Sequence, residues 1–279
     1  MKFGFVASGG TTDQILEMAV EAEAAGWDGF FTWDGISVGE MDTFDPWALL
    51  GAIAVKTSTM TLGAMVFPLS RRRPWKVVRE TITIDHLSHG RLVIPVGLGA
   101  SPDDGGFSRV SGEVTDRRQR AELLDESLEI LELAWKGETF SHEGKHYTAT
   151  DLVFRPTPVQ QPRIPIWVVA AFPSEKSMGR AIRWDGVLPS LRKRPFGPLE
   201  ASDVQEVMQW VSEHRSSSDK PFDLVLEGVT PGEDQEATTA QIRPLAEAGA
   251  TWWIESRWEA PHNTPEALLN RIRQGPPVI

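Results

Sequence analysis

The feature that most constrains the fold of this chain is an eightfold alternation of short apolar runs with amphipathic helical patterns. The apolar runs occupy residues 3–8, 28–34, 60–68, 91–99, 164–171, 185–190, 222–229 and 251–256. The helical patterns that follow them occupy residues 11–26, 45–57, 74–88, 116–137, 174–184, 201–215, 234–249 and 264–274. Most runs are continuously apolar, which is typical of parallel strands buried on both faces. Eight such units with right-handed crossovers close into a ring, so the sequence predicts a single α/β domain over residues 1–279, a (β/α)₈ TIM barrel.

The alternative architecture is a doubly wound open sheet. Gly97-Leu98-Gly99 ends the fourth apolar run, but the third glycine of a dinucleotide-binding turn does not follow it. One segment interrupts the alternation, at residues 138–163 before the fifth strand. Its three prolines lie toward its end, and the pattern predicts a small hairpin followed by an extended crossing rather than a domain.

Charge and composition exclude several classes of partner. The 279 residues suit a barrel of about 250 residues. The net charge of −11 disfavours nucleic acid and anionic membranes as partners. Cysteine is absent, which excludes disulfides and thiolate chemistry, and no apolar run approaches the roughly 18 residues that cross a bilayer. These features predict a cytoplasmic protein.

The active site of such a barrel lies at the carboxyl ends of its strands. Those ends, with the loops after them, are residues 7–9, 33–34, 64–70, 97–101, 170–174, 189–194, 227–228 and 255–258. They lack paired carboxylates, clustered metal ligands and a strand-end lysine, so we predict no metal and disfavour a barrel hydrolase or aldolase. They are rich in small residues, tryptophans and arginines, which suits a pocket for a flat anionic cofactor.

Several stretches resemble one family. They are RRRPWKVVRETITIDHLSHGRLVIPVGLG (71–99), DPWALLGAIA (45–54), ELLDESLEILELAWKGETFSHEGKHY (122–147) and PTPVQQPRIPIWVVA (156–170). These motifs are similar to those of the luciferase-like monooxygenases, the flavin- and deazaflavin-dependent barrel oxidoreductases. The similarity follows the family order over nearly the whole chain.

The resemblance implies a bacterial-luciferase-like barrel with a flavin-type ring across the strand ends. It implies a bulge, often with a non-prolyl cis peptide, at the end of the third strand, room for the ring after the fourth, and phosphate contacts after the fifth. By the resemblance, the cofactor-binding residues are Ala64, Met65 and Val66, then Gly97, Leu98 and Gly99, then Ala170, Ala171 and Ser174. From the residues alone, the two glycines are equally suited to a tight strand-end turn.

The chain departs from the family at the second strand end. Many relatives carry Asp-His there, whereas this chain has Trp33-Asp34-Gly35. Asp34 remains as the catalytic candidate, as a hydrogen-bond partner rather than a base. Further candidate contacts for substrate or anions are Trp33, Arg71, Arg192 and Glu255. The arginines suit either an anion clamp or a solvated loop, and Glu255 suits either a ligand contact or a buried ion pair. His142 and His146, in the inserted segment, are expected on the surface.

The resemblance implies an oxidoreductase acting on a small organic molecule, with two open variants. With FMN, a separate flavin reductase supplies reduced flavin for monooxygenation. With the deazaflavin coenzyme F420, hydride passes directly between cofactor and substrate. A non-catalytic flavin-binding protein is the alternative from a different class. The resemblance also allows a homo-oligomer, and the sequence does not specify the substrate.

Overall fold

The computed structural model describes residues 1–101, 105–194, 197–216 and 221–279. Its strands are β1 (Lys2–Val6), β2 (Gly29–Thr32), β3 (Thr61–Ala64), β4 (Phe67–Pro68), β5 (Ile94–Gly97), β6 (Phe140–Glu143), β7 (Thr148–Leu152), β8 (Ile166–Phe172), β9 (Gly186–Leu191), β10 (Asp223–Gly228) and β11 (Trp252–Glu255). Its α-helices are α1 (Thr12–Ala24), α2 (Pro46–Lys56), α3 (Pro74–Leu87), α4 (Arg117–Trp135), α5 (Glu175–Ala181), α6 (Ala201–His214), α7 (Gln235–Glu247) and α8 (Pro265–Arg273).

The strands form a parallel ring, which confirms the predicted barrel. Their order is β3-β2-β1-β11-β10-β9-β8-β5-β4, and every pairing between neighbours is parallel. The ring closes because β4 pairs with β5 and Leu62 of β3 forms a parallel bridge to Leu92. The third barrel strand is divided into β3 and β4, and the Met65–Val66 peptide bond between them is cis, as expected for this position.

Strand alternation separates two apolar layers. Side chains that point outward pack beneath the helices, whereas every second residue points into the barrel. The interior cluster, as we call the inward-facing layer, consists of Val6, Phe31, Met65, Val93, Trp167, Leu188, Val225, Trp252 and Ile254. Trp167 lies with its ring centroid 6.0 Å from Phe31 and 5.2 Å from Trp252. The barrel is therefore filled, and a ligand site must lie above this cluster.

The inserted segment forms the predicted hairpin, with β6 and β7 antiparallel. The Glu126 carboxylate on α4 fastens it by accepting the backbone N–H groups of Lys145, His146 and Tyr147. His142 and His146 are not surface residues, because their side chains are only 9% and 14% exposed. They pack against the glutamates of α4, so the expectation for these two residues was wrong.

The glutamates of α4 are held as carboxylates. Hydrogen bonds from the Lys145 ammonium and the His146 ring lower the pKa of Glu122 to about 2. Burial raises the pKa of Glu126, but its backbone N–H donors outweigh that effect and leave the pKa below its usual value. The connection between hairpin and helix therefore depends on negative charge.

Among the described residues, no helix combines the length and the apolar character that a bilayer crossing requires.

Candidate functional site

The inward-facing residues at the carboxyl ends of the strands form the floor and walls of the barrel mouth. Glu227 of β10 is in register with Ile254 of the interior cluster, so its side chain points inward. Ala171 and Ser190 are in register one step beyond the inward pair Val169 and Leu188. The mouth is thus bordered by small or polar side chains on one half of the ring.

A cavity of about 800 Å³ opens at the ends of β9, β10 and β11. We call it the Glu227 cavity. Its lining includes Leu188, Ser190, Val225, Glu227, Ser256 and Trp258. Trp258 packs on the interior cluster and meets Trp33 edge-on, with centroids 6.0 Å apart and planes at 84°. The cavity therefore presents aromatic and aliphatic walls with the Glu227 carboxyl among them.

The Glu227 carboxyl is held by neutral donors. The Trp258 indole N–H donates to Glu227 Oε1 at 2.9 Å. The Glu227 side chain is exposed to the open cavity, but its position within the barrel mouth partly desolvates the carboxyl and raises the pKa of Glu227. The Trp258 and Ser256 side chains lower this pKa by less. Within the described chain, no ion pair joins Glu227 to a Lys, Arg or His nitrogen within 4 Å.

A second cavity of about 730 Å³ lies beside the first, and Ser190 and Leu191 line both. We call it the cationic cavity, because its lining includes Arg117, Arg118, Lys176, Arg180 and Arg192. Arg118 pairs with Glu122 and Arg180 with Asp125. In the described ranges, Arg117, Lys176 and Arg192 have no carboxylate within 4 Å. Unpaired cations concentrated in one cavity of a chain with net charge −11 indicate a site for an anion.

The cationic cavity brings together predicted residues from three strand ends, namely Leu98, Ala171, Ser174 and Arg192. Ser174 precedes α5 and makes no capping hydrogen bond with its hydroxyl. Two details differ from the expectation. Ala170 packs outward in the helix-facing layer, and the Ala171 N–H already donates to Ser177 Oγ at 2.9 Å. The serine hydroxyls and cations, rather than these two amides, are therefore the groups available to a phosphate.

The glycines after the fourth strand do not open an empty ledge, which corrects the expectation that they make room for a ring. A Cβ on Gly97 would lie 3.0 Å from Val169 Cγ2 and 3.2 Å from Val66 Cγ2. A Cβ on Gly99, at φ +77°, would lie 2.8 Å from Pro68 Cβ. Both glycines are thus required by protein neighbours, and the floor of the mouth consists of valine side chains.

Of the residues predicted around the cis peptide, Met65 points into the barrel and Ala64 points outward. Met65 belongs to the interior cluster, and Val66 packs against that cluster from above. Ala64 lies fully buried in the helix-facing layer. Only Val66 is therefore placed to present a side chain toward a ligand in the mouth.

Asp34 is held by two arginines rather than presented to a ligand. Its side chain is 1% exposed, and its oxygens accept from Arg71 Nη1 and from Arg72 Nε and Nη2, the latter two at 3.1 and 2.9 Å. Burial raises the pKa of Asp34, and the charges of Arg72 and Arg71 oppose that shift. Arg71 is committed to this pair, so the predicted clamp for an anion is not formed by it.

Glu255 does not reach the mouth. It is in register with Gly228 and faces away from the interior, with a fully buried side chain. Its carboxylate pairs with Arg257 Nη2 at 2.9 Å and Arg271 Nε at 3.5 Å, and it accepts from the Thr230 hydroxyl at 2.8 Å. Of the two roles expected for Glu255, a ligand contact or a buried ion pair, the structure therefore shows the ion pair.

Comparison with known proteins decides the family. The family model described as luciferase-like monooxygenase matches residues 1–274. The chain belongs to the luciferase-like monooxygenase family. This luciferase-like chain is 27% identical over 203 residues to an F420-dependent glucose-6-phosphate dehydrogenase of Microbacterium testaceum (strain StLB037), which covers 70% of the chain. It spans 58% of the length of that relative.

Solved structures agree with this assignment at the level of fold. Monooxygenase RslO1 from Streptomyces bottropensis superimposes with a TM-score of 0.77 at 18% identity, covering 98% of this chain and 97% of its own. An F420-dependent secondary alcohol dehydrogenase, in complex with an F420–acetone adduct, gives 0.76 at 15% identity, with 97% of both chains covered. These structures share the fold of this chain over nearly its whole length.

Proposed function

We propose that this luciferase-like chain is an oxidoreductase that binds the deazaflavin coenzyme F420 and exchanges hydride with a small organic substrate. The observation that carries the proposal is the cationic cavity beside the apolar barrel mouth. A cofactor with a flat ring and a long anionic tail needs both environments, adjacent to each other.

The residues present fit such a cofactor. Val66, Val169 and Trp258 offer an apolar surface above the interior cluster. Arg117, Lys176 and Arg192 would hold a phosphate or carboxylate tail, with Ser174 as a hydroxyl donor. When bound, the deazaflavin supplies a carbon centre that gives or accepts hydride. The chain itself orients the two reactants and keeps water from the ring.

The relative from Microbacterium testaceum supports the choice of cofactor, since its name specifies F420. FMN-dependent monooxygenation is the second candidate, favoured by a fold neighbour described as a Baeyer-Villiger monooxygenase in complex with FMN. That route needs a separate reductase, whereas direct hydride transfer does not. A single phosphate also leaves more of the cationic cavity unused.

The experiment compares charge-removing variants of the cationic cavity. Replacement of Arg117, Lys176 or Arg192 by Gln should each weaken F420 binding about tenfold, the loss expected for one charge-assisted contact. The exposed Lys56→Gln, at the far end of α2, is the matched control. Fluorescence titration measures binding, and added salt should reduce the difference between the variants and the wild type. Equal affinity in all four variants would contradict the proposed site.

A further inference from the structure

Glu227 lies at the barrel mouth without a part in the cofactor site proposed above. It is the last inward-facing residue of β10, one step above Val225 of the interior cluster. Its carboxyl lines the Glu227 cavity, on the side of Ser190 away from the cationic cavity. A substrate placed above the interior cluster would therefore meet this carboxyl.

The surroundings keep Glu227 apart from fixed charge. The other charged or titratable groups that line its cavity are Arg194, Arg257, Glu259 and His262. Arg194 pairs with Glu200 and Asp203, and Arg257 pairs with Glu255. Glu259 and His262 are exposed. Arg194 thus has two carboxylate partners, and Arg257 shares the Glu255 carboxylate with Arg271.

We propose that Glu227 is the proton donor of the reaction and that the substrate is an uncharged molecule whose carbonyl group is reduced. This inference rests on the proposed hydride transfer. The Glu227 carboxyl would donate its proton to the carbonyl oxygen as the C=O π bond breaks, and a reduced deazaflavin held by the cationic cavity would supply the hydride that the carbonyl carbon gains. The product is an alcohol and oxidised cofactor, and water entering the cavity returns a proton to Glu227.

The neutral donors of Glu227 suit this role. After the proton leaves, the Trp258 N–H and the Ser256 hydroxyl remain to stabilise the carboxylate. Gly35 has no titratable side chain, and Asp34 is committed to two arginines. Glu227 thus supplies a proton on the opposite side of the Trp33–Trp258 contact.

The same cavity argues against a sugar phosphate as substrate. A phosphate group requires at least one available cation, whereas Arg194 is held by Glu200 and Asp203, and the Arg257 guanidinium is held by Glu255 and the Thr230 carbonyl. We therefore expect cyclohexanone and benzaldehyde, as uncharged carbonyl probes, to oxidise reduced F420 on this protein. Glucose 6-phosphate should not reduce the oxidised cofactor.

The first test requires no cofactor. Infrared difference spectra between wild type and Glu227→Gln, recorded over a pH series, should contain the carbonyl stretch of one carboxylic acid that persists to higher pH than the band of a solvent-exposed glutamate. Subtracting the variant removes the contributions of Asp34 and Asp223, whose pKa values burial also raises. Glu247→Gln, at the exposed end of α7, is the control, and its difference spectrum supplies the band of an exposed glutamate. Loss of the Glu227 band at the same pH as this reference band would overturn the inference.

The second test uses the loaded protein. Glu227→Gln should lower kcat for carbonyl reduction about 100-fold and leave F420 affinity unchanged. The wild-type kcat should fall as pH rises through the Glu227 pKa, because the donor is lost, and the variant should show no such fall. Trp258→Phe removes a donor to the carboxylate, so the fall should move to higher pH.

The outcomes separate this inference from the proposed function. Unchanged turnover in Glu227→Gln, or a preference for glucose 6-phosphate, would overturn the role of Glu227 and leave the cofactor site standing. Failure of the wild type to bind F420 would overturn the proposed function and this inference with it.

Discussion

Asp34 and Glu227 show that the chemistry of a carboxyl group depends on the groups that surround it. Asp34 is enclosed by Arg71 and Arg72, whereas Glu227 faces a cavity with neutral donors. Burial raises the pKa of both groups, but two arginine charges oppose the shift at Asp34, whereas only neutral groups oppose it at Glu227. Their chemistry differs although both lie at strand ends.

Asp34→Asn should destabilise the protein by about 2 kcal/mol, because it leaves two guanidinium groups without their carboxylate. This loss of stability should be smaller than for a fully buried ion pair, because the two arginine side chains are 16% and 14% exposed. Chemical denaturation at neutral pH measures it. The control is Asp45→Asn, since Asp45 lies 3.7 Å from Arg72 and is 53% exposed, and asparagine can still cap α2. Wild-type stability with lost turnover in Asp34→Asn would make Asp34 catalytic instead.

The strand-end glycines should respond to alanine in a defined order. Gly99→Ala should destabilise more than Gly97→Ala, since it combines a Pro68 clash with a positive φ. We expect about 1–3 kcal/mol for Gly97→Ala from overpacking against Val169 and Val66. Gly179→Ala, inside α5 with open space around it, should instead stabilise by up to about 1 kcal/mol. Thermal or urea unfolding checks the order, and neutral replacement at Gly97 would restore the open-ledge interpretation.

Sequence reasoning placed both Glu227 and Glu255 at strand ends but could not assign their direction. Parallel strands buried on both faces are apolar at successive positions, so polarity does not reveal which side chain points inward. The strand register reveals the direction, because Glu227 is in register with the inward-facing Ile254 and Glu255 is in register with Gly228. Arg117 and Lys176 were also missed, because they lie at the starts of helices and not at strand ends.

At the scale of elements, the inserted hairpin is held to α4 by charge. Glu126 and Glu122 have lowered pKa values in the folded protein. Their contribution to stability is therefore present above the unfolded pKa of about 4.5 and is lost as pH falls through the folded values. Lowering the pH below about 4.5 should weaken the attachment of the hairpin to α4, whereas raising the pH from there to neutral should not.

Glu126→Gln should lower the free energy of unfolding at neutral pH by about 1–3 kcal/mol, because a charged acceptor of three backbone N–H groups is lost. The variant should also lose less stability than wild type as the pH falls below about 4.5. Denaturation over a pH series measures both effects. Glu129→Gln, whose carboxylate is 43% exposed, is the control. A variant that follows the wild-type pH curve would contradict the account of this attachment.

Most strands and helices could be predicted from the hydrophobic pattern of the sequence alone. Each predicted strand and helix is present, because apolar runs and helical periodicity report burial directly. The division of the third strand was implied only by family resemblance, since the cis bond at Met65–Val66 leaves no mark in periodicity. The burial of His142 and His146 escaped prediction because it depends on tertiary pairing with α4.

At the scale of the whole molecule, the two cavities divide the barrel mouth by charge. The cationic cavity concentrates unpaired positive groups in an acidic chain, and the Glu227 cavity contains aromatic walls and a carboxyl group without an ion-pair partner in the described chain. Ser190 and Leu191 separate them at the end of β9. This arrangement suits an anionic cofactor on one side and an uncharged substrate on the other.

Fluorescence titration of the wild-type protein with F420 and with FMN tests the central claim most directly. We predict that F420 binds at micromolar concentration or below, more tightly than FMN, and that added salt weakens F420 more because more charges are neutralised in its complex. Tighter binding of FMN, or no binding of either cofactor at millimolar concentration, would contradict it.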